Sequence, residues 1–293
     1  MIVEGQQNIK VHFAAVEQMN QCNSVQALGG KYSLYTAYPF IERMMYDKPS
    51  HPIVAAQFSN NVFEIPQHVI SNNRHTIQDS GLFTLMFGSK AGNKDKAFLD
   101  RYYEKLIEFT VKYGAGASVV EMDTQKVFGP ESAWNYRRRM REDLNNRVIN
   151  VYHLEDGQTG LDRLIEFSDY IAISVPELRK AKKKNGLVAL ANYIKNQKPE
   201  IDIHLLGFTE RRLFKQLAFC TSCDSSSYTS GIRYGFIKGK KVSGIITEKA
   251  KSLISPKEFN FLTQYMSEAT AFGLLLNIKS EMQKYEQHAG PQD

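Results

Sequence analysis

Eight short runs rich in β-branched and aromatic residues recur along this chain, and the stretches between them have helical character. The runs are IKVHFAAV (9–16), YSLYTAYPF (32–40), RHTIQD (74–79), ASVVEMD (117–123), RVINVYHL (147–154), YIAIS (170–174), DIHLLGF (202–208) and FCTSCD (219–224). Runs of this length and composition, bounded by turn formers, predict strands. They are apolar on both faces, as strands must be when helices cover one side and a filled interior the other. Between them, FLDRYYEKLIEFTVKYG puts Leu99, Tyr103, Leu106, Ile107 and Thr110 on one helical face, with Gly114 as the stop. NGLVALANYIKN does the same with Leu187, Leu190, Ala191 and Ile194, and TERRLFKQLAF predicts a helix capped by Thr209 that buries Leu213, Phe214 and Leu217. Strict alternation over about 225 residues predicts an α/β fold, a (β/α)8 TIM barrel, ahead of an open doubly wound sheet. One domain spanning 1–293 is expected, with an insertion after strand 2 (about 41–73, containing Pro49, Pro52 and Pro66) and an extra C-terminal helical segment at about 254–287.

Composition narrows the setting. The chain is 42% hydrophobic and 23% charged, has no run of 18 uninterrupted apolar residues, and opens on MIVEGQQNIK, without a basic start and an apolar stretch. A soluble, cytoplasmic protein is expected, in a host cytoplasm if a phage encodes it, with neither a membrane span nor a secretory leader. Cys22, Cys220 and Cys223 cannot build a disulfide framework, which fits a reducing compartment. Net charge is +6, a mild basic excess that suits a polyanionic partner without requiring one.

In a barrel of this kind, reactive groups gather where the strands finish. The predicted strand ends supply Asp79, Asp123, His153 with Glu155, Ser174, Gly207 and Asp224. An aspartate at a strand end is commonly a turn former or a helix cap. Three of them at one rim crowd like charges, a pattern that raises carboxyl pKa values and suits acid/base or nucleophilic work. Cys220 and Cys223 form a single C-x2-C, and His204 is too isolated to complete a tetrahedral metal site, so buried reduced thiols are expected and no metal.

The same stretches carry a resemblance. QDSGLF (78–83) resembles the Asp-Ser-Gly-Gly-Phe-Gln motif of the tRNA-guanine transglycosylase superfamily, and HLLGFTERRLFKQLAFCTSCDSSSY (204–228) is similar to that family's strand, glycine, helix, strand and nucleophilic aspartate. VVEMD (119–123), INVYHLEDG (149–157) and YIAISVPE (170–177) fall where the family has its base-contacting strands, so the likeness runs in order over about residues 70 to 235. Departures accompany it. Leu82 stands for the motif's second glycine and Thr84 for its glutamine, the threonine and arginine that usually follow the nucleophile are missing from DSSSYTSG, and no cysteine follows Cys223 to build the family's zinc site. Those gaps make the chain look more like the divergent DNA 7-deazaguanine transglycosylases of phages and bacterial modification clusters.

The resemblance implies an activity and assigns roles. Base exchange at one sugar carbon with retained configuration needs two inversions, hence a carboxylate nucleophile and an acid/base group serving both halves. Asp224 would be the nucleophile and Asp79 the acid/base. Asp123 would read the guanine edge, assisted by Ser80, Gly81, Ser174 and Ile173, with His153, Glu155 and Gly207 also lining the base site. No cofactor is implied. The expected partners are DNA, with tRNA as the alternative, and a free 7-deazaguanine base; the oligomeric state is left open. A base in a duplex must be flipped out to be reached. Arg233, Lys238, Lys240 and Lys241 are the expected phosphate contacts, with further basic runs at 137–141 (RRRMR), at 179–184 (RKAKKK) and at Arg211 and Arg212, while Tyr228 and Tyr234 could stack on bases. Two competing readings are a catalytically silent nucleic-acid-binding subunit of the same fold and an unrelated barrel hydrolase.

Overall fold

The computed structural model of the protein describes residues 9–27, 30–46, 63–87, 95–183, 186–208, 210–226, 236–237 and 240–241. Its centre is a closed barrel of eight parallel strands in sequence order. These are β1 (Lys10–Phe13), β2 (Tyr32–Thr36), β3 (His75–Asp79), β4 (Ser118–Val120), β5 (Val148–Tyr152), β6 (Tyr170–Ser174), β7 (Asp202–Leu206) and β8 (Ser222–Ser225). Closure is made by β1 against β8, with His12 opposite Asp224. The (β/α)8 barrel expected from the alternation is therefore the fold, and all eight expected strands take part in it.

Ten helices interleave with the strands among the described residues: α1 (Met19–Ala27), α2 (Tyr38–Met45), α3 (Glu64–Asn72), α4 (Leu82–Phe87), α5 (Lys96–Tyr113), α6 (Gln125–Phe128), α7 (Pro130–Asp143), α8 (Gly157–Phe167), α9 (Val175–Lys180) and α10 (Leu187–Gln197). The α5 helix runs as its apolar stripe predicts. Asp95 caps it by accepting from the Phe98 N–H at 2.7 Å, and its far end closes with the Gly114 N–H donating to the Thr110 carbonyl at 2.8 Å.

Two expectations about elements need correction. The strand expected over 32–40 stops at Thr36, because Pro39 lies in the first turn of α2, where its missing N–H and fixed φ favour a helix. The helix expected after Gly207 is replaced by two short 3-10 turns, Arg211–Leu213 and Lys215–Leu217, although Phe214 and Leu217 are buried as expected. The span expected as an insertion contributes α2 and α3, and 47–62 lies outside the described residues, as do Thr209 and the C-terminal segment 254–287. Among the described residues, no helix is long and apolar enough to cross a membrane.

The strand period of two sorts side chains into two sets. Leu34, Ile77, Val120, Val151 and Ala172 come from five different strands and, with Ala14 just past β1, form one apolar cluster, so they fill the barrel interior. The alternate residues, such as Val119 and Ile203, pack outward into two larger clusters with the helices.

Candidate functional site

Counting upward by two from the inward residues Ile77, Val151 and Ala172 reaches Asp79, His153 and Ser174 at the C-terminal rim, and on β8 Ser222 is followed by Asp224 in the same way. Alternation thus aims two of the three aspartates into the mouth of the barrel, and Asp123 follows in the loop after β4.

The carboxyl of Asp79 is lifted to about 6. Burial is the largest cause; the Gly81 N–H, donated to Oδ1 at 2.6 Å, opposes it; the charges of Asp123 and Asp224 raise it further. Gly81 has a φ of +77°, and a Cβ there would lie 2.5 Å from the Tyr38 Cβ, so the turn that aims its N–H at Asp79 needs glycine. Its N–H is therefore bound to the carboxylate rather than presented to a ligand. Ser80 is also turned into the wall, 2% exposed, its hydroxyl donating to the Glu121 carbonyl at 2.8 Å and its own carbonyl accepting from the Tyr102 hydroxyl at 2.7 Å.

Asp224 is 8% exposed. Its Oδ1 accepts the Gly207 N–H at 2.7 Å and faces His204 Nε2 at 3.2 Å. Gly207 adopts φ +59°, and a Cβ there would meet the Pro176 ring at 2.9 Å. The glycine expected to let the backbone pass beneath a substrate therefore serves first to bring an amide to the nucleophile candidate.

His153 is the hub of a charged cluster. Its Nε2 lies 3.1 Å from Asp123 Oδ2 and its Nδ1 2.8 Å from Glu177 Oε2, while Lys126 Nζ is 3.1 Å from the same Glu177 oxygen. Burial disfavours the imidazolium, but the two carboxylates outweigh it and hold His153 up at about 9. Burial likewise disfavours the charge of Glu177, and His153 with Lys126 overcomes that, bringing it down to about 2. The cluster is thus a His⁺ between two carboxylates. Glu155, expected beside His153, is exposed in the 3-10 turn Leu154–Asp156, and the bond from the His153 N–H goes to Asp156 at 3.2 Å. Ser174 is half-buried at the end of β6 and makes no side-chain cap to α9.

The wall behind this rim is built from part of the basic run RRRMR. Arg137 is buried and binds both oxygens of Glu121 through Nε, at 2.9 and 2.8 Å, and its Nη2 also donates to the Val151 carbonyl at 2.9 Å. Glu121 points outward from β4, opposite to Val120, and also accepts from Asn150 at 2.6 Å and the Val151 N–H at 2.9 Å. Arg139 lies over the Tyr103 ring at 4.1 Å and Arg141 over Phe167 at 5.0 Å. Only Arg138 of the four arginines is left to solvent without such a contact among the described residues, so most of this run packs onto the fold. Lys180, Lys182, Lys183 and Arg212 are exposed. Tyr228, Arg233, Tyr234 and Lys238 lie outside the described residues, and Lys240 and Lys241 form the short strand β10, paired antiparallel with β9 (Phe236–Ile237). Cys220 and Cys223 are buried in the apolar layer outside the barrel and form no disulfide, and burial pushes the Cys220 thiol up.

Four participants were missed: Glu177, Lys126, His204 and Ser222. His204 and Glu177 stood inside the motifs already singled out. The period-two count from Leu206 marks His204 as inward, which was the available signal; Glu177 and Lys126 gave none, since each is fixed by a partner on another loop. Two cavities lie away from the rim. One, of about 450 Å³, opens at the N-terminal end of the barrel beside Lys10, His75, Arg147 and Tyr170, and the other, of about 330 Å³, lies between α2 and α5. Residues 47–62, 88–94 and 227–235 are outside the described residues. The chain matches no protein-family model, and a search of curated proteins finds no significant relative.

Proposed function

We propose that the protein is a transglycosylase that exchanges guanine in DNA for a 7-deazaguanine base by double displacement. The observation that carries this reading is the placement of Asp79 and Asp224 at the C-terminal ends of their strands on one barrel rim, with the Asp79 carboxyl raised to about 6, chiefly by burial. A carboxyl in that range can give up a proton and take one back near neutral pH, which both halves of a base exchange require. In the first half, an oxygen of Asp224 attacks C1′ of the target nucleoside. The C1′–N9 bond breaks, its electron pair leaves with guanine, and Asp79 supplies the proton. In the second half, Asp79 takes the N9 proton of the incoming base, the freed nitrogen attacks C1′, and the electron pair of the ester bond returns to Asp224. Two inversions restore the configuration, and no redox partner enters the balance.

Asp123 is suited to accept from the N–H groups that guanine and 7-deazaguanine share, since only its Oδ2 is taken by His153 among the described residues. The resemblance in the order of motifs from QDSGLF to CTSCDSSSY supports the same assignment. The exposed Lys180, Lys182, Lys183 and Arg212 suit a polyanion.

The test is incorporation of a labelled guanine or 7-deazaguanine into duplex DNA and, in parallel, into tRNA. Label retained in DNA, and lost with Asp224→Ala, is the expected result. Label in tRNA alone assigns the chemistry to RNA, and exchange in neither polymer removes the enzymatic reading.

A further inference from the structure

Beneath the rim, a line of polar side chains runs down the inside of the barrel where an apolar core would be the ordinary filling. The Tyr170 hydroxyl is in short contact with Ser222 Oγ; Ser222 Oγ lies 2.6 Å from His204 Nδ1; His204 Nε2 lies 3.2 Å from Asp224 Oδ1. Tyr170, Ser222 and His204 are each 1% exposed or less. Burying three polar groups in series is costly unless every donor finds an acceptor, so the direction of each bond is constrained. A carboxylate only accepts, so His204 must present a proton on Nε2. A neutral ring then accepts at Nδ1, the Ser222 hydroxyl donates to it, and Ser222 Oγ receives the Tyr170 O–H. Burial favours the neutral phenol that this requires. Oδ1 of Asp224 therefore carries two donors, His204 Nε2–H and the Gly207 N–H, while Oδ2 has no bond among the described residues.

We propose that His204 is a positioning residue that makes Oδ2 of Asp224 the attacking oxygen and stabilises Oδ1 when the carboxylate is released. This rests on the base-exchange reading above. The C1′–Oδ2 bond forms in the first half, leaving Oδ1 as the ester carbonyl oxygen. In the second half that bond breaks, charge returns to the carboxylate, and the two donors on Oδ1 meet it without reorganisation, as preorganised donors do for other developing anions. His204 holds the Asp224 side chain against rotation, as orienting groups do for nucleophile–base pairs elsewhere. It acts through Asp224 and forms no bond to the substrate.

The experiment uses full-length protein with DNA or tRNA and a labelled base, comparing wild type with His204→Ala, His204→Gln and Ser222→Ala. His204→Ala is expected to lose about ten- to a hundredfold in kcat, the range of orienting partners in other sites, with KM for the base unchanged. The covalent protein–nucleic acid adduct, read on a denaturing gel, should accumulate because the second half slows more. His204→Gln, whose amide can donate to the same oxygen, should recover part of the rate, and Ser222→Ala should lie between. Unchanged kcat, a loss confined to KM, or a slower rate without adduct build-up overturns the proposal. A ¹⁵N spectrum of wild-type protein adds a readout independent of turnover and of folding in any variant. A neutral His204 protonated on Nε2 is expected, and an Nδ1–H or doubly protonated ring overturns the assigned bond directions. Wild-type protein that exchanges no base overturns the underlying reading and this proposal together, whereas exchange with the wrong tautomer or the wrong kinetics overturns this proposal alone.

Discussion

His153 stands between Asp123 and Glu177, 3.1 Å from one and 2.8 Å from the other, so the carboxylate proposed to read a base is itself held by a buried cation. The arrangement ties stability to pH. His153 is raised from its ordinary 6.5 to about 9, so its contribution is full below 6.5 and lost as pH rises through 9. The size is on the order of 3 kcal/mol. Glu177, brought down from 4.5 to about 2, contributes above 4.5 and loses its effect as pH falls toward 2. Denaturant melts of wild type should weaken between 6.5 and 9, and His153→Ala should lose about 3–5 kcal/mol at neutral pH by leaving two carboxylates facing each other, with that alkaline slope gone.

Asp79 also loses stability toward higher pH, but because its charged form is the disfavoured one. Its carboxyl is raised from 3.8 to about 6, so the folded state favours the protonated form and stability falls as pH rises through that interval. Asp79→Asn removes the charge and keeps an acceptor for the Gly81 N–H. It should melt higher than wild type at pH 8 by about 2–3 kcal/mol, with the difference vanishing below 3.8. The same variant should lose base exchange while still binding nucleic acid; full activity would remove Asp79 from the mechanism.

A second effect comes from the lower half of the barrel. His12 Nε2 lies 2.9 Å from His75 Nδ1, and His75 Nε2 lies 2.9 Å from the Ser118 hydroxyl. Burial, the largest cause, and the neighbouring cations Lys10 and Arg147 hold His75 down at about 4, so it folds neutral and must be protonated on unfolding in acid. Stability from this site is present above 6.5 and lost as pH falls toward 4, about 3 kcal/mol in all. In urea melts from pH 7 to 4, His75→Gln should flatten this acid limb; an unchanged slope would assign the loss elsewhere.

Gly207→Ala tests the amide that faces Asp224. The left-handed φ of +59° and the 2.9 Å approach to Pro176 both resist a side chain. A stability loss of about 1–2 kcal/mol is expected from the backbone conformation alone. The larger effect should fall on kcat, because the N–H bonded to Asp224 moves with the turn. Comparing thermal melts with initial rates separates the two.

Arg137→Leu should be among the most damaging single changes outside the rim. It leaves Glu121, 0% exposed, as a buried charge without its cation, and such breaks cost about 3–5 kcal/mol. Replacing both partners, Arg137→Leu with Glu121→Gln, should recover much of that loss, as a double-mutant cycle in urea would show. Arg138→Leu, on the exposed face of the same run, should change stability little.

The sequence by itself determined the barrel and its rim. Apolar runs that alternate with helical stripes are local patterns, and a period of two says which residues face inward. Asp79, His153, Ser174 and Asp224 were therefore legible at the strand ends, and Asp123 in the loop that follows β4. What the tertiary structure alone decided is who meets whom. His153 meets Glu177, 24 residues on, instead of the adjacent Glu155. His204 lies beneath Asp224, 20 residues away, and Arg137 turns inward to Glu121 while Arg138 faces water. Periodicity fixes the face on which a side chain stands. Its partner depends on how neighbouring strands are staggered and how the barrel closes, and that depends on every strand at once.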